Sequence, residues 1–377
     1  MRTLVVNALR VLGKPTGPGR HIEFLVQQWS RMSVPFDRIV VMSPGVPQIS
    51  LMGAQTAIDF RTVARGWPKL AWEQVALPVA ARGAAMMFCP TYTGPLLHRG
   101  PMVVANHGIY ESVPGEFSWW SRLRATPLNR GSARRAARVI ANSLSTRNDI
   151  VRHFGIPEAE IDLVYPAGHD LFFQSYPPEE IAAEVARALG EPAPYVIFMG
   201  KLAKRRHVPN LIRAFALVRR EARLPHHLLI IGPNTTETPV DQVAAEAGVS
   251  DAVKYIPYLE QLPLAKLCAG ADLYVLPTTY EGISQTMFEA MASGTAVLTV
   301  EHPTLAEGAA DAAYAMPTPS VEDLARGLTA LLTNPGLRAE YARRGRERAR
   351  RFSWRSAAEQ TMAILDRYAR PADLRPI

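Results

Sequence analysis

Two acids eight residues apart, Glu281 and Glu289, stand in "YEGISQTMFEAMASG" (residues 280–294), the first in a loop pattern and the second inside a helical one. A carboxylate accepts two hydrogen bonds from a vicinal diol such as that of a ribose. Glu289, one turn into a helix, suits that task, and Glu281 suits a sugar hydroxyl. Ser284 is a candidate helix cap and Gly294 a candidate helix end. The first-turn amides of Gln285 and Thr286 would then lack an intrahelical acceptor and, with the helix dipole, form an anion site. The plainer reading is that both acids complement a helix N-terminus, worth about 0.3–1 kcal/mol each.

Three further stretches carry possible chemistry. In "YVIFMGKLAKRRHVPN" (195–210) an apolar strand runs into Gly200, then Lys201, Lys204, Arg205 and Arg206, then a helix. Cations at the carboxyl end of a strand can neutralise a diphosphate; the alternative is a solvated basic loop. In "LRVLGKPTGPGRHIEFLVQQW" (9–29), Gly17 and Gly19 would sit in a loop after the first strand and let backbone amides approach a phosphate. The spacing is not G-x-G-x-x-G, and no acid follows the second predicted strand at the required distance, which argues against NAD. In "MVVANHGIY" (102–110), His107 lies just past a strand; a lone histidine is more often structural than catalytic.

The elements that must position these residues alternate. Apolar runs at 3–8, 38–42, 84–88, 102–105 and 138–141, and again at 195–199, 227–231, 253–256, 273–276 and 296–300, are separated by helical patterns. They lack polar alternation, which predicts strands buried on both faces of parallel sheets. In the helix after 195–199, Leu211, Phe215 and Val218 share one face while Arg213, Arg219, Arg220 and Glu221 point away. Two such βα series predict two doubly wound α/β domains facing across a cleft, with a boundary in the Pro-rich, charged stretch 174–193. Ligands of open α/β sheets bind beyond the carboxyl ends of the strands, where all four motifs fall.

The 377 residues fit two domains, and 48% hydrophobic content supports two cores. Two distant cysteines, Cys89 and Cys268, make neither a disulfide framework nor a metal cluster and suit a reducing compartment. The N-terminus reads as a strand rather than a signal peptide, and no run reaches the roughly 20 apolar residues of a membrane span. A cytoplasmic location is expected. The net charge of +8 favours anionic partners. With no zinc finger, RNP motif or helix-turn-helix, nucleic acid is not expected. "GEFSWWSRLRATPLNRGSARRAARV" joins Trp119 and Trp120 to Arg122, Arg124, Arg130, Arg134, Arg135 and Arg138. Such a set suits an anionic membrane surface at the inner face of the cell membrane, an anionic acceptor pocket, or a core Trp pair beside a solvated helix.

Across almost its whole length the chain resembles glycosyltransferase family 4, the retaining GT-B enzymes. "ARVIANSLSTRNDIVRHFGIPEAEIDLVYPAGHDLFF" (137–173) is similar to the segment closing that family's N-terminal domain, with Gly168 and Asp170 in its "NG-x-D" place. The 195–218 stretch resembles the family's strand, basic loop and helix. "ADLYVLPTTYEGISQTMFEAMASGTAVLTV" (271–300) resembles its most distinctive element, and "LLTNPGLRAEYARRGRERARRFSW" (331–354) its closing helices.

The resemblance implies an N-terminal acceptor domain over 1–180, a nucleotide-sugar domain over 181–355, and a segment 356–377 crossing back to the first. Glu289 would bind ribose hydroxyls, and Glu281 would sit by the donor sugar. Amides from Gly282, Ile283, Ser284, Gln285 and Thr286 would hold sugar hydroxyls and phosphate. Lys201 and Arg206 would clamp the diphosphate with Gly17, Gly19 and Gly200 close by. Tyr258 would face the base and His107 the transferred sugar. Departures are Lys201 for the usual arginine, Arg206 for lysine, His207 for Gly or Asn, Ser284 for Gly, and Ala167 for Asn. The implied reaction is metal-independent, retaining hexosyl transfer from a UDP- or GDP-sugar, with no cofactor beyond the donor, to a glycan, lipid-linked or small-molecule acceptor, as in polysaccharide biosynthesis. A nucleotide-sugar epimerase of the same fold, a glycogen-phosphorylase-like enzyme (for which no cofactor lysine stands out) and a non-catalytic nucleotide-sugar sensor are the alternatives.

Overall fold

The structure is a computed structural model that describes residues 1–13, 17–47, 49–112 and 119–371. Two compact units divide the chain: Met1–Pro166 with Ser353–Ile377, and Ala167–Phe352.

In the first unit β1 (Thr3–Asn7), β2 (Arg38–Ser43), β3 (Ile58–Thr62), β4 (Met86–Cys89), β5 (Met102–Asn106), β6 (Arg138–Ala141) and β7 (Ile161–Leu163) form one parallel sheet, in the order β3-β2-β1-β4-β5-β6-β7. In the second, β8 (Tyr195–Met199), β9 (His227–Ile231), β10 (Val253–Ile256), β11 (Leu273–Leu276), β12 (Ala296–Val300) and β13 (Tyr314–Met316) form another, in the order β10-β9-β8-β11-β12-β13. Both sheets are doubly wound and parallel, the Rossmann-like pair of the GT-B fold. Central strands such as β4, β5, β8 and β11 are buried along their whole length, as the absence of alternation predicts. Strand order reverses beside β1 and β4 in one sheet and beside β8 and β11 in the other. The crevices at these reversals are where such sheets take ligands.

The units part at residue 166 rather than 180. Phe172 is buried in the second unit's core, where Leu171, Phe173 and Tyr176 pack beside it. Gly168 lies so close to the helix Gln285–Ala292 that a Cβ there would stand 3.1 Å from the Phe288 carbonyl oxygen. The chain returns to the first unit at Ser353 rather than 356. Ser353 caps the helix Trp354–Tyr368 through the Ser356 amide at 3.1 Å, and Trp354 is buried against Phe24. Trp29 Nε1 donates to the Ala358 carbonyl at 3.1 Å, and Arg2 pairs with Asp366 at 2.7 Å. Phe352, one residue earlier, still packs on Phe288 of the second unit.

Candidate functional site

In the second unit the basic loop after β8 and the acidic loop after β11 meet at the strand reversal. Arg206 Nε and Nη2 both lie 2.8 Å from Glu281 Oε1, and Arg205 Nη2 lies 3.7 Å from the same oxygen. Thr278 Oγ1 adds a contact at 3.4 Å. Glu281 is 3% exposed and Arg206 8%, so this is a desolvated pair whose partners must satisfy one another. The loops are also stitched through the backbone: Thr279 N donates to the Arg205 carbonyl at 2.9 Å, and Arg205 Nε to that of Tyr280 at 3.0 Å.

Backbone geometry makes room for the guanidinium. Gly200 has φ +132°, and a Cβ there would stand 1.9 Å from Arg206 Nη1. Gly232 has φ +145°, and a Cβ there would stand 2.0 Å from the Gly200 carbonyl oxygen, so each glycine is required by its neighbour. His207 adopts φ +44° where the helix Val208–Glu221 begins. The left-handed conformation costs a side chain about 1–2 kcal/mol, which is the physical reason Gly or Asn suits that position.

The sequence reading groups Lys201 and Arg206 as one clamp; the structure gives them different surroundings. Lys201 is exposed at the carboxyl end of β8, whereas Arg206 is buried, with Nη1 donating to the Lys201 carbonyl at 3.3 Å. Lys201, Lys204, Arg205 and Arg206 make the loop after β8 strongly positive, which favours an anion beside it.

The helix Gln285–Ala292 forms as expected. Ser284 Oγ accepts from the Met287 amide at 3.2 Å, and Gly294 follows the last turn at φ +75°. Thr286 Oγ1 meets Tyr274 Oη at 2.8 Å and Ser284 Oγ at 3.2 Å, which fixes the first turn on β11. The amides of Gln285 and Thr286 are first-turn donors. Gly282 and Ile283 are buried just before them. Glu289 is fully buried in the second turn, and its Oε1 accepts from Gln285 Nε2 at 3.2 Å. A diol reaching that oxygen would share it with the Gln285 amide. Tyr258 stands in the loop after β10, half-buried.

In the first unit Gly17 and Gly19 are not in a loop. They open the helix Gly17–Trp29, so the Gly19 amide is a first-turn donor of that helix. His107 follows β5 and is 9% exposed; its Nε2 lies 2.6 Å from the Pro90 carbonyl. Burial pulls its pKa down to about 4, the Pro90 hydrogen bond opposing, so His107 is neutral at pH 7.

Several residues here escaped the sequence reading. Glu73, buried, accepts from Asn7 Nδ2 and Thr93 Oγ1, both at 2.9 Å. Burial raises its pKa and these hydrogen bonds counter the rise. The cluster joins the carboxyl end of β1 to the loop after β4. Glu73 lies in a one-turn π-helical segment, Trp72–Ala76, whose pattern signals nothing. His21 packs on His107; its place after the glycines of the first helix could have drawn notice.

Of the Trp/Arg stretch, Trp119 and Trp120 are stacked at 3.8 Å and about 60% exposed rather than packed in a core. Arg138 pairs with Asp162 at 2.6 Å, Arg134 Nε donates to the Phe154 carbonyl at 2.9 Å, and Arg135 bonds the His98 carbonyl. Exposed Arg122 and Arg130 remain on the face with the tryptophans; the Arg124 side chain lies outside the described residues. Among the described residues no group of three His, Cys, Asp or Glu side chains could hold a metal ion, and no helix is long and apolar enough to cross a membrane.

Two family models match the chain: "Glycosyl transferases group 1" over residues 169–348 and "Glycosyltransferase Family 4" over 62–167. A D-inositol 3-phosphate glycosyltransferase of Saccharomonospora viridis is 31% identical over 245 residues, 62% of this chain and 55% of that protein. An O-antigen chain mannosyltransferase B of Escherichia coli is 25% identical over 218 residues, 58% of this chain and 57% of that one. The chain thus spans little more than half the length of the curated relatives it matches. Among solved structures, Anabaena Alr3699/HepE in complex with UDP-glucose superposes with a TM-score of 0.77 at 18% identity, covering 97% of this chain and 100% of that one. WaaG, a glycosyltransferase involved in lipopolysaccharide biosynthesis, superposes at 0.74 and 18% identity, covering 96% and 99%.

Proposed function

Because the chain belongs to glycosyltransferase family 4, we propose that it transfers a sugar from a UDP- or GDP-sugar to a glycan, lipid-linked or small-molecule acceptor, with retention and without a metal. The observation that carries this reading is the convergence of the loops after β8 and β11, where Arg206 and Glu281 form a buried pair beside the basic residues Lys201, Lys204 and Arg205. The glycosyltransferase names of the relatives and the UDP-glucose bound by the similarly folded HepE support it.

The chemistry assigned to these residues is electrostatic. Lys201 and the amides of Gln285 and Thr286 receive the diphosphate, and Arg206 holds Glu281 oriented towards a donor-sugar hydroxyl. Glu289 takes the ribose diol, and Tyr258 lies against the base. His107, neutral, meets a hydroxyl of the transferred sugar. As the bond from the anomeric carbon to the phosphate oxygen breaks, the acceptor oxygen bonds that carbon on the same face. Its proton passes to the departing phosphate oxygen, whose growing charge the cations and amides stabilise.

A thermal-shift screen of nucleoside diphosphate sugars tests the reading. A true donor at 100 times its Kd adds about 2.7 kcal/mol to stability, whereas free sugars and nucleosides without the diphosphate leave the melting temperature in place. Anomer-resolved NMR of the product must then show retention. No stabilisation by any UDP- or GDP-sugar overturns the donor assignment. Turnover of the donor to an epimer without acceptor, or tight binding with no transfer, overturns the transferase assignment.

The exposed face of the helix Trp119–Arg135 belongs to the same proposal as the contact with a lipid-linked acceptor's membrane. Stacked Trp119 and Trp120, Leu123 at 57% exposure, Arg122 and Arg130 share a helix that contains no acidic residue. Tryptophan favours the headgroup region, and each arginine near an anionic surface adds about 1 kcal/mol. The protein would work in the cytoplasm, at the membrane's inner face when this patch engages. Sedimentation with phosphatidylglycerol-containing vesicles is expected and should fall in the Trp119→Ala/Trp120→Ala variant. Binding indifferent to anionic lipid removes this contact.

A further inference from the structure

His107 is the end of a column of buried rings. Its Nε2 faces the Pro90 carbonyl, and a carbonyl only accepts; Nε2 therefore carries the proton and Nδ1 keeps a lone pair. His21, from the helix Gly17–Trp29, meets His107 edge to face, the ring centroids 4.5 Å apart and the planes at 69°. Trp354 meets the His21 ring at 5.3 Å and 73°, and Phe24 packs on Trp354 at 5.1 Å. Tyr92, from the loop after β4, closes on His107 at 5.6 Å. The column thus begins on the helix Trp354–Tyr368, where the chain has returned to the first unit, and ends at the carboxyl end of β5.

The surroundings keep both imidazoles uncharged. Among the described residues, His107 meets His21 from its helix and Tyr92 and the Pro90 carbonyl from the loop after β4. None of them is charged when His21 is neutral. Burial holds His21 well below its ordinary pKa, and the neighbouring His107 adds to that. Asn106 Oδ1 accepts from the Gly108 amide at 3.0 Å and fixes the turn in which His107 sits. A flat ring packed at 4.5 Å obstructs rotation of the His107 ring about its χ2 axis. Without it the ring can turn over, which sets Cε1 where Nε2 stood and Cδ2 where Nδ1 stood, so that Nε2 loses Pro90, the tautomer is no longer pinned and the lone pair loses its orientation.

We propose that His21, braced by Trp354, is a positioning residue for His107: it holds the imidazole in the Nε2-protonated tautomer so that Nδ1 accepts a hydrogen bond from a hydroxyl of the sugar substrate. This rests on the reading that His107 meets the transferred sugar. It makes the returning helix part of the machinery of the first unit as well as of its stability.

The test uses two variants of the full chain. His21→Leu keeps volume but removes the flat ring, and His21→Phe keeps the ring and removes its nitrogens. Long-range ¹H–¹⁵N spectra from pH 5 to 9 report the His107 tautomer and ionisation, and steady-state kinetics with donor and acceptor report kcat and KM. His107 should stay a single Nε2-protonated species in the wild type and in His21→Phe. In His21→Leu both tautomers should appear and the titration should move up into the measured range. That variant's kcat should fall by about tenfold or more with donor KM little changed, because the loss is one of orientation. An unchanged His107 spectrum in folded His21→Leu overturns the positioning role. A mixed-tautomer His107 with wild-type kcat would instead overturn the reading that His107 meets the sugar, so the two failures are distinct.

Discussion

Replacing Arg206 with alanine should lower turnover by about 10²–10³, the scale of a lost transition-state interaction, because Glu281 loses the guanidinium that orients it and the site loses a cation. The same change removes the closest partner of a carboxylate that is 3% exposed. Breaking a buried ion pair from one side costs about 3–5 kcal/mol. Arg205 at 3.7 Å and Thr278 at 3.4 Å retain some hold on Glu281, so the lower end of that range is expected. Loss of turnover could then reflect a disordered loop alone. The double variant Arg206→Met/Glu281→Gln separates the two effects. It removes both charges of the closest pair and leaves Arg205 its bond to the Tyr280 carbonyl, and replacing both members of a buried pair is often neutral or stabilising. Denaturant midpoints should return towards wild type while kcat stays low. If kcat recovers together with stability, the pair is scaffolding and the electrostatic role assigned to Arg206 falls.

That pair also shows what the sequence could and could not reveal. Each half was legible: a basic run directly after an apolar strand, and an acid in a loop before a capped helix. Their contact was not, because 75 residues separate them and only the strand order brings the ends of β8 and β11 together. The strands missed by pattern were β3, β7 and β13. β3, "IDFRT", lies at a sheet edge with four of its five residues exposed, and β7 and β13 are three-residue edge strands. Edge strands need only one buried face, so they carry little of the apolar signal that marked β4 or β8. The boundary was displaced for a related reason. Prolines and charges mark where a chain is exposed, at 174–193, but the core changes hands earlier, where Gly168 and Phe172 turn to the second unit. Gly17 and Gly19 read as loop because glycine and proline discourage helices, yet both are tolerated in a first turn, whose amides have no intrahelical acceptor to lose.

Glu289→Gln should raise the donor KM by about 10–100-fold and leave kcat nearly unchanged. A hydrogen bond to a charged acceptor contributes about 1.5–3 kcal/mol, and a neutral amide oxygen retains only part of it for one hydroxyl of the diol. Each 1.4 kcal/mol lost is a factor of ten in affinity. The ribose is remote from the bond that breaks, so its contacts are made equally in ground and transition states and their loss is carried by KM. The isosteric change keeps the packing of a fully buried side chain and removes a buried charge, so the fold should be unharmed. Gln285 supplies the control: its Nε2 donates to Glu289 Oε1 at 3.2 Å and competes with a diol for that oxygen. Gln285→Ala should therefore keep or lower the donor KM, and a nucleoside diphosphate lacking the ribose 2′- and 3′-hydroxyls should bind wild type and Glu289→Gln alike. If the dideoxy analogue still discriminates between the two proteins, Glu289 acts through something other than the diol.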